Sequence, residues 1–333
     1  MVKDNEPPPE APPAPGSTPG STPGSTPGTH PGSDLQSDEP TPPGEGMDLH
    51  DPQVAIDLFQ RAGDANLAGP ARQGATDVLP DDGWLLMSGD LHDNGLSFQR
   101  LLKLAALHAD VTQHLILHEV IHGPHRINGR DMSIRTLARV AALKLQYPDQ
   151  VHLLLSNHEL AQVLGEGILK DGASVVDAFN DGVDFIYGDQ AGDVRRAMAQ
   201  FICTMPLAVR CPNRILCCHS IPPPRALDHF DATVLNRVPT QEDLAKGGAA
   251  YQMIWGRRHT DELAEALCEE WDVDLFVMGH QPAEMGYLRE GNRLLVLASD
   301  HDHGVALPID LGATYDNVDE LIDQLVPLAS VVM

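Results

Sequence analysis

The chain has 333 residues and a formal net charge of −26, with 48 acidic side chains against 22 lysines and arginines. After residue 46 there remain 41 acidic and 21 basic residues, an excess that argues against nucleic acid or an anionic membrane as partner. No apolar run approaches the roughly 20 residues needed to cross a bilayer, and Met1-Val2-Lys3-Asp4 opens no signal sequence, so the expectation is a soluble, cytoplasmic protein.

Residues 1–46 differ in kind from the rest: proline-rich over 7–15, repeating Gly-Ser-Thr-Pro from Gly16, and ending in Gly44-Glu45-Gly46. With almost no apolar side chains to offset the entropy of ordering, they read as a disordered tail. It is either a plain tether or a segment for phosphorylation and partner binding. Residues 47–333 contain no second linker and are long enough for one large domain.

Five apolar runs read as strands: 84–87, 115–117, 151–155, 215–218 and 275–278. Each leads into a polar cluster, in turn Gly89-Asp90-Leu91-His92, His118-Glu119, Asn157-His158-Glu159, His219 and Gly279-His280. Between them, helical spacing predicts helices over 96–109 and 133–147, the second capped by Ser133 and stopped by Pro148. Residues 160–208 read as short helices broken by Gly165, Gly167, Gly172, Gly182 and Gly188, a cap beside the site. Strands over 293–298 and 305–310 are expected to pair around the turn 300–304. The pattern predicts an α/β fold, a two-sheet β-sandwich flanked by helices. Five cysteines are an odd number, and Cys217 and Cys218 face opposite sides of a strand, so buried free thiols are expected.

Ligands at the carboxyl ends of successive strands meet in one crevice. Asp90 and His92, two apart on an extended segment, can face one metal; Glu119 is then the shared carboxylate, and Asn157, His219 and His280 complete a second ion. Mixed oxygen and nitrogen donors suit Mn, Fe or Zn. Two such ions activate a water and neutralise phosphate charge, and His158, beside a ligand, is placed to protonate a leaving alkoxide. Singly, each motif is an ordinary loop or core feature; their joint order at strand ends carries the metal reading.

Over residues 84–312 the chain resembles the phosphoprotein phosphatase type of calcineurin-like metallophosphoesterases, related to Ser/Thr protein phosphatases and diadenosine tetraphosphatases. Gly89-Asp90-Leu91-His92 is similar to GDxH, and Ser156-Asn157-His158-Glu159 to GNHE. The stretch from Phe201 through His219 resembles the segment leading into HGG, and His280-Gln281 through Tyr287 resembles AHQxxExGY. The second motif, GDxxDRG, departs: Glu119 stands where the bridging Asp belongs, and His122 where an Asp orients the catalytic His. The arginines of both central motifs are missing. Gly129-Arg130-Asp131 echoes a displaced Asp-Arg-Gly, leaving Arg126 and Arg130 as phosphate contacts or solvated charges, and Asp131 or His122 as support for His158. Of Arg257 and Arg258, Arg257 is the favoured further phosphate contact. The cluster Asp300-His301-Asp302-His303 reads as a turn, with His301 and His303 as rim contacts.

The resemblance implies a dinuclear enzyme hydrolysing phosphomonoesters, phosphoserine and phosphothreonine in proteins among them, by attack of metal-bound hydroxide. The rivals are a pseudophosphatase that binds phosphorylated partners and a dinucleoside polyphosphate hydrolase.

Overall fold

Alternation along the strands sorts the apolar side chains into two layers, and that sorting defines the architecture. Leu85, Met87, Ile116, Leu154, Cys217, Val277, Leu295 and Leu307 form one buried cluster between two sheets. Their neighbours Leu86, Leu115, Leu117, Leu153, Cys218, Phe276, Met278 and Val296 face outward, into a larger cluster shared with the helices. The result is the expected two-sheet sandwich with helices outside. The computed structural model describes residues 42–333 apart from residues 167 and 171, and the tail expected over 1–41 lies outside the described residues. Residues 42–46, included in that tail reading, form turns closed by Glu45 N–H on Pro42 O and Met47 N–H on Gly44 O.

One sheet runs in the order Arg72–Gln73, Thr76–Val78, Ala208–Arg210, Ile215–Cys218, Leu275–Met278, Leu294–Leu297, Tyr287–Glu290. The other runs Val326–Pro327, Val305–Asp310, Trp84–Asp90, Gln113–His118, Val151–Leu154. The three motif-bearing strands of the second sheet are mutually parallel, as are the two of the first with Leu294–Leu297. Their carboxyl ends therefore lie together at one end of each sheet. A bridge between Asp90 and Ala298, with Ser299 N–H on Asp90 O at 3.0 Å, ties the two sheets there.

Four expectations need correction. Leu294–Leu297 and Val305–Asp310 do not pair with each other, because they lie in different sheets. The polar turn between them is a corner: the Ser299 hydroxyl accepts from Gly89 N–H (2.8 Å) and donates to Val305 O (2.7 Å), passing the chain across the seam. Gly182 does not break a helix but sits inside Val175–Tyr187, where a Cβ would run into Asp131 O. Ser133 makes no side-chain cap; its hydroxyl accepts the His122 N–H instead. The helix expected over 96–109 is Gly95–Ala105, stopped by left-handed Ala106. All five cysteines are free, four buried and Cys203 exposed.

At the opposite end of the sandwich a second buried carboxylate has a guanidinium for partner. Asp77 accepts from Arg72 Nε at 2.6 Å and meets His152 Nδ1 at 2.8 Å, and His152 Nε2 meets His114 Nδ1 at 3.2 Å. Burial alone would push the Asp77 carboxyl up, but His152 and then Arg72 outweigh it and hold it at about 2. A carboxyl depressed on folding stabilises above its unfolded value near 4 and loses that contribution as pH falls through about 2, here roughly 2 kcal/mol. Asp77→Asn should cost about 3–5 kcal/mol at neutral pH by stranding Arg72, and should flatten the acid limb of the urea midpoint against pH.

Candidate metal centre

Asp90 and His118 are the last residues of their strands, Asn157 opens the helix Asn157–Leu164, His219 directly follows Ile215–Cys218, and His280 lies two past Met278. His92, Glu119, His122 and His280 all have φ between 42° and 69°, a left-handed backbone that costs non-glycine residues on the order of 1–3 kcal/mol each. These four lie in the turns that swing side chains back over the strand ends. Leu91 N–H and His92 N–H both donate to Glu119 O, which fastens the first two turns to each other.

Four donor atoms converge. Asn157 Oδ1 lies 2.8 Å from both His219 Nε2 and His280 Nδ1, and these two nitrogens are 3.2 Å apart. Glu119 Oε2 lies 2.8 Å from His219 Nε2, yet without hydrogen-bond geometry, so this buried oxygen has no partner. An ion with bonds of about 2.0–2.2 Å sets neighbouring donors about 3 Å apart, which is the spacing found here. The other oxygen, Glu119 Oε1, faces away, 3.0 Å from His92 Nε2 and 3.7 Å from His158 Nε2. One carboxylate thus addresses two groupings.

Asp90 is placed differently from the extended-segment expectation. Its strand ends at that residue and His92 turns left-handed, so the two are not brought together by one extended segment, yet each still feels the charge of the other. Both Asp90 oxygens accept the His280 N–H, at 2.9 and 3.0 Å, and Oδ1 lies 3.6 Å from His118 Nδ1 and 3.7 Å from His219 Nδ1. The donor groupings are accordingly Asp90 with His118 and His219, His92 with Glu119 and His158, and Glu119 with His219 and His280. Gly279 makes room for the first of these, since a Cβ there would strike Asp90 Oδ1 and the His118 ring.

No Lys or Arg pairs with Asp90 or Glu119 among the described residues. Burial and the charge of Glu119 push the Asp90 carboxyl up to about 7. Burial would raise Glu119 too, but His219, His158 and His92 hold it well below the usual carboxylate range. His92 is driven the other way: against burial, Glu119 raises it to about 9. Burial holds His158 and His118 at about 3 and His122 at about 4.

His158 Nδ1 contacts His122 Nδ1 at 2.9 Å, and His122 Nε2 contacts Gln162 Oε1 at 3.0 Å. Gln162 in turn donates to Asn180 Oδ1 at 3.0 Å, which orients its amide oxygen toward His122. His122 is thus the direct neighbour of His158. Asp131 acts one step further back, accepting from Ser133 N–H at 2.8 Å while Ser133 holds the His122 backbone. The structure does not bring Arg130 into the cluster: it belongs to the hairpin Arg126–Ile127/Arg130–Asp131, turned by Asn128-Gly129, and its guanidinium lies 4.7 Å over the Phe185 ring. Arg126 is the nearer charge, felt by His122 and Asp131. Arg257 is exposed and helps hold His280 low. His301 Nε2 is spent on Ala283 O at 3.0 Å.

Two residues of the network had no role in the motif reading: His118, named there only as the neighbour of Glu119, and Gln162. Each had a positional signal: His118 shares a strand face with Ile116, and Gln162 lies one helical turn past His158.

No protein-family model matches the chain. Among curated proteins it is similar to the serine/threonine-protein phosphatase sitA of Aspergillus fumigatus, 26% identical over 173 residues. That match spans 46% of this chain and 40% of the relative's length. Among solved structures, a protein serine/threonine phosphatase from Saccharomyces cerevisiae superposes with a TM-score of 0.58 at 14% identity, covering 84% of this chain and 93% of that one. The chain has the calcineurin-like metallophosphoesterase fold. A cold-active protein tyrosine phosphatase also superposes, with a TM-score of 0.50 at 14% identity over 71% and 75% of the two chains. At these identities the likeness is one of fold, and the metallophosphoesterase sandwich is what brings the five motif ends together.

Loading ions onto His92 and Asp90 must expel protons held at about 9 and about 7. Zinc affinity should therefore fall as pH is lowered, about tenfold per pH unit for each displaced proton, more steeply below 7 than between 7 and 9. Competition titrations against a chelator of known affinity measure this slope; a pH-independent affinity contradicts it.

Proposed function

We propose that residues 47–333 form a catalytic domain that hydrolyses phosphomonoesters at a pair of transition-metal ions, with phosphoserine and phosphothreonine in proteins as the substrate class. The observation that carries this is the four-donor cage of Glu119, Asn157, His219 and His280, whose shared carboxylate reaches His92 on its other side. Asp90, His92 and Glu119 would hold one ion, and Glu119, Asn157, His219 and His280 the other. The donor set suits Mn, Fe or Zn. Bound there, such ions neutralise phosphate charge and lower the pKa of a water nucleophile.

The chain's own residues supply the rest. His158 turns Nε2 toward Glu119 Oε1, on the cluster side, and its other nitrogen is held by His122. Burial holds the ring at about 3, but the negative charge of a bound phosphate ester would raise it; once it has taken up a proton it can give that proton to the leaving alkoxide while its ring stays fixed. Arg257 offers a guanidinium beside His280 for a phosphate oxygen. The likeness to phosphatases described as acting on serine and threonine supports the substrate class. Five free thiols fit a reducing compartment such as the cytoplasm. No helix among the described residues is long and apolar enough to cross a membrane.

Purified chain should retain transition metal and hydrolyse p-nitrophenyl phosphate and phosphoserine peptides, and chelation should abolish both reactions. Less than one ion per chain, with no hydrolysis on adding Mn²⁺, overturns the proposal. Metal retention without turnover favours a phospho-binding module, and preference for diadenosine tetraphosphate favours the polyphosphate hydrolase. His158→Ala should lower kcat by about 10²–10⁴-fold at unchanged metal content, whereas Asn157→Ala should lose the second ion and turnover together.

A further inference from the structure

We propose that His118, whose Nδ1 lies in the donor grouping with Asp90 and His219 but which the two-ion reading does not use as a ligand, is a positioning residue that fixes the tautomer of His219 and so turns the His219 Nε2 lone pair into the cage. The consequence for metal binding rests on the two-ion reading; the hydrogen-bond chain stands apart from it.

Strand alternation brings the two rings together. Ile116 and Cys217 belong to the buried cluster between the sheets, so His118 and His219, two residues further along their chains, point into the same seam. They are 1% and 0% exposed, which leaves water no part in their pairing. His118 Nε2 lies 2.9 Å from Ser88 O. A carbonyl can only accept, so the hydrogen of His118 sits on Nε2 and its Nδ1 is a bare lone pair. That lone pair lies 3.0 Å from His219 Nδ1, and the contact is a hydrogen bond only if His219 carries a hydrogen on Nδ1. Asn157 Oδ1 and Glu119 Oε2, 2.8 Å from His219 Nε2, are acceptors that draw a hydrogen to Nε2 as well; an ion bound there takes the place of that hydrogen and leaves the one on Nδ1.

The direction of the chain is therefore set by a backbone oxygen, which cannot change role. In the reverse arrangement His118 would carry its hydrogen on Nδ1, leave Ser88 O without a donor and force a hydrogen onto His219 Nε2. His219 could then not act as a ligand. Gly279 is part of the device, because a side chain there would displace the His118 ring.

Long-range proton–nitrogen correlation NMR of the ring nitrogens, on the full chain both metal-free and zinc-loaded, reads the tautomers directly. The expected result is His118 with its hydrogen on Nε2 in both forms, and zinc-loaded His219 with its hydrogen on Nδ1. His118→Phe fills the space without an acceptor and should weaken zinc binding at the second site about 10–100-fold, while His118→Gln, whose amide can both accept and donate, should restore most of it. A hydrogen on His118 Nδ1 overturns the proposal, as does wild-type zinc affinity in a folded His118→Phe. If the wild-type chain binds no zinc, the two-ion reading fails, and the metal-free spectrum still decides the tautomer of His118.

Discussion

Buried negative charge that no lysine or arginine meets among the described residues, leaving only imidazoles to share protons with it, is the constraint on which the rest of the structure turns. Asp90 and Glu119 sit nearly inaccessible at the seam of two sheets, surrounded by His92, His118, His122, His158, His219 and His280. Imidazoles can share protons with these carboxylates but cannot satisfy every lone pair, and Glu119 Oε2 is left over. A cation satisfies several such atoms at once, which is why the cluster reads as a metal centre and not as an ordinary polar core.

The opposite end of the same sandwich supplies the contrast. There too a buried carboxylate meets a histidine, His152 of the strand Val151–Leu154, itself met by His114 of Gln113–His118, but Arg72 brings a permanent positive charge to the carboxylate. The two clusters use similar side chains on shared strands and differ in whether the chain provides the cation. Burial alone does not separate a structural network from a site; the unmet charge does.

Histidine pairing recurs around the centre with a consistent logic. His158 is backed by His122 and Gln162, and His219 by His118 and Ser88 O, so each ring near the reacting space has one nitrogen occupied by a partner that is itself anchored. The substitution of His122 for the acid expected from the motif resemblance replaces a charged partner with a neutral one, and burial keeps that ring uncharged. A neutral partner can still orient a ring, although it stabilises the charged imidazolium less than a carboxylate does.

The amino-acid sequence by itself determined the strands, the order of the polar clusters behind them and hence the layered α/β sandwich, because period-two apolar patterning is a local property of the chain. It also named Glu119, Asn157, His219 and His280, since each lies within three residues of its strand's end and the ends of neighbouring parallel strands cannot scatter. It did not determine the partner of the Val305–Asp310 strand, because crossing from one sheet to another depends on the Ser299 corner and on Gly89 approaching it from 210 residues away. Nor could it show that His92 leaves the extended path of the Asp90 strand, that Arg130 is held by Phe185, or that His118 backs His219. Those outcomes rest on left-handed turns and on contacts between distant segments, and only tertiary structure decides which distant segments meet.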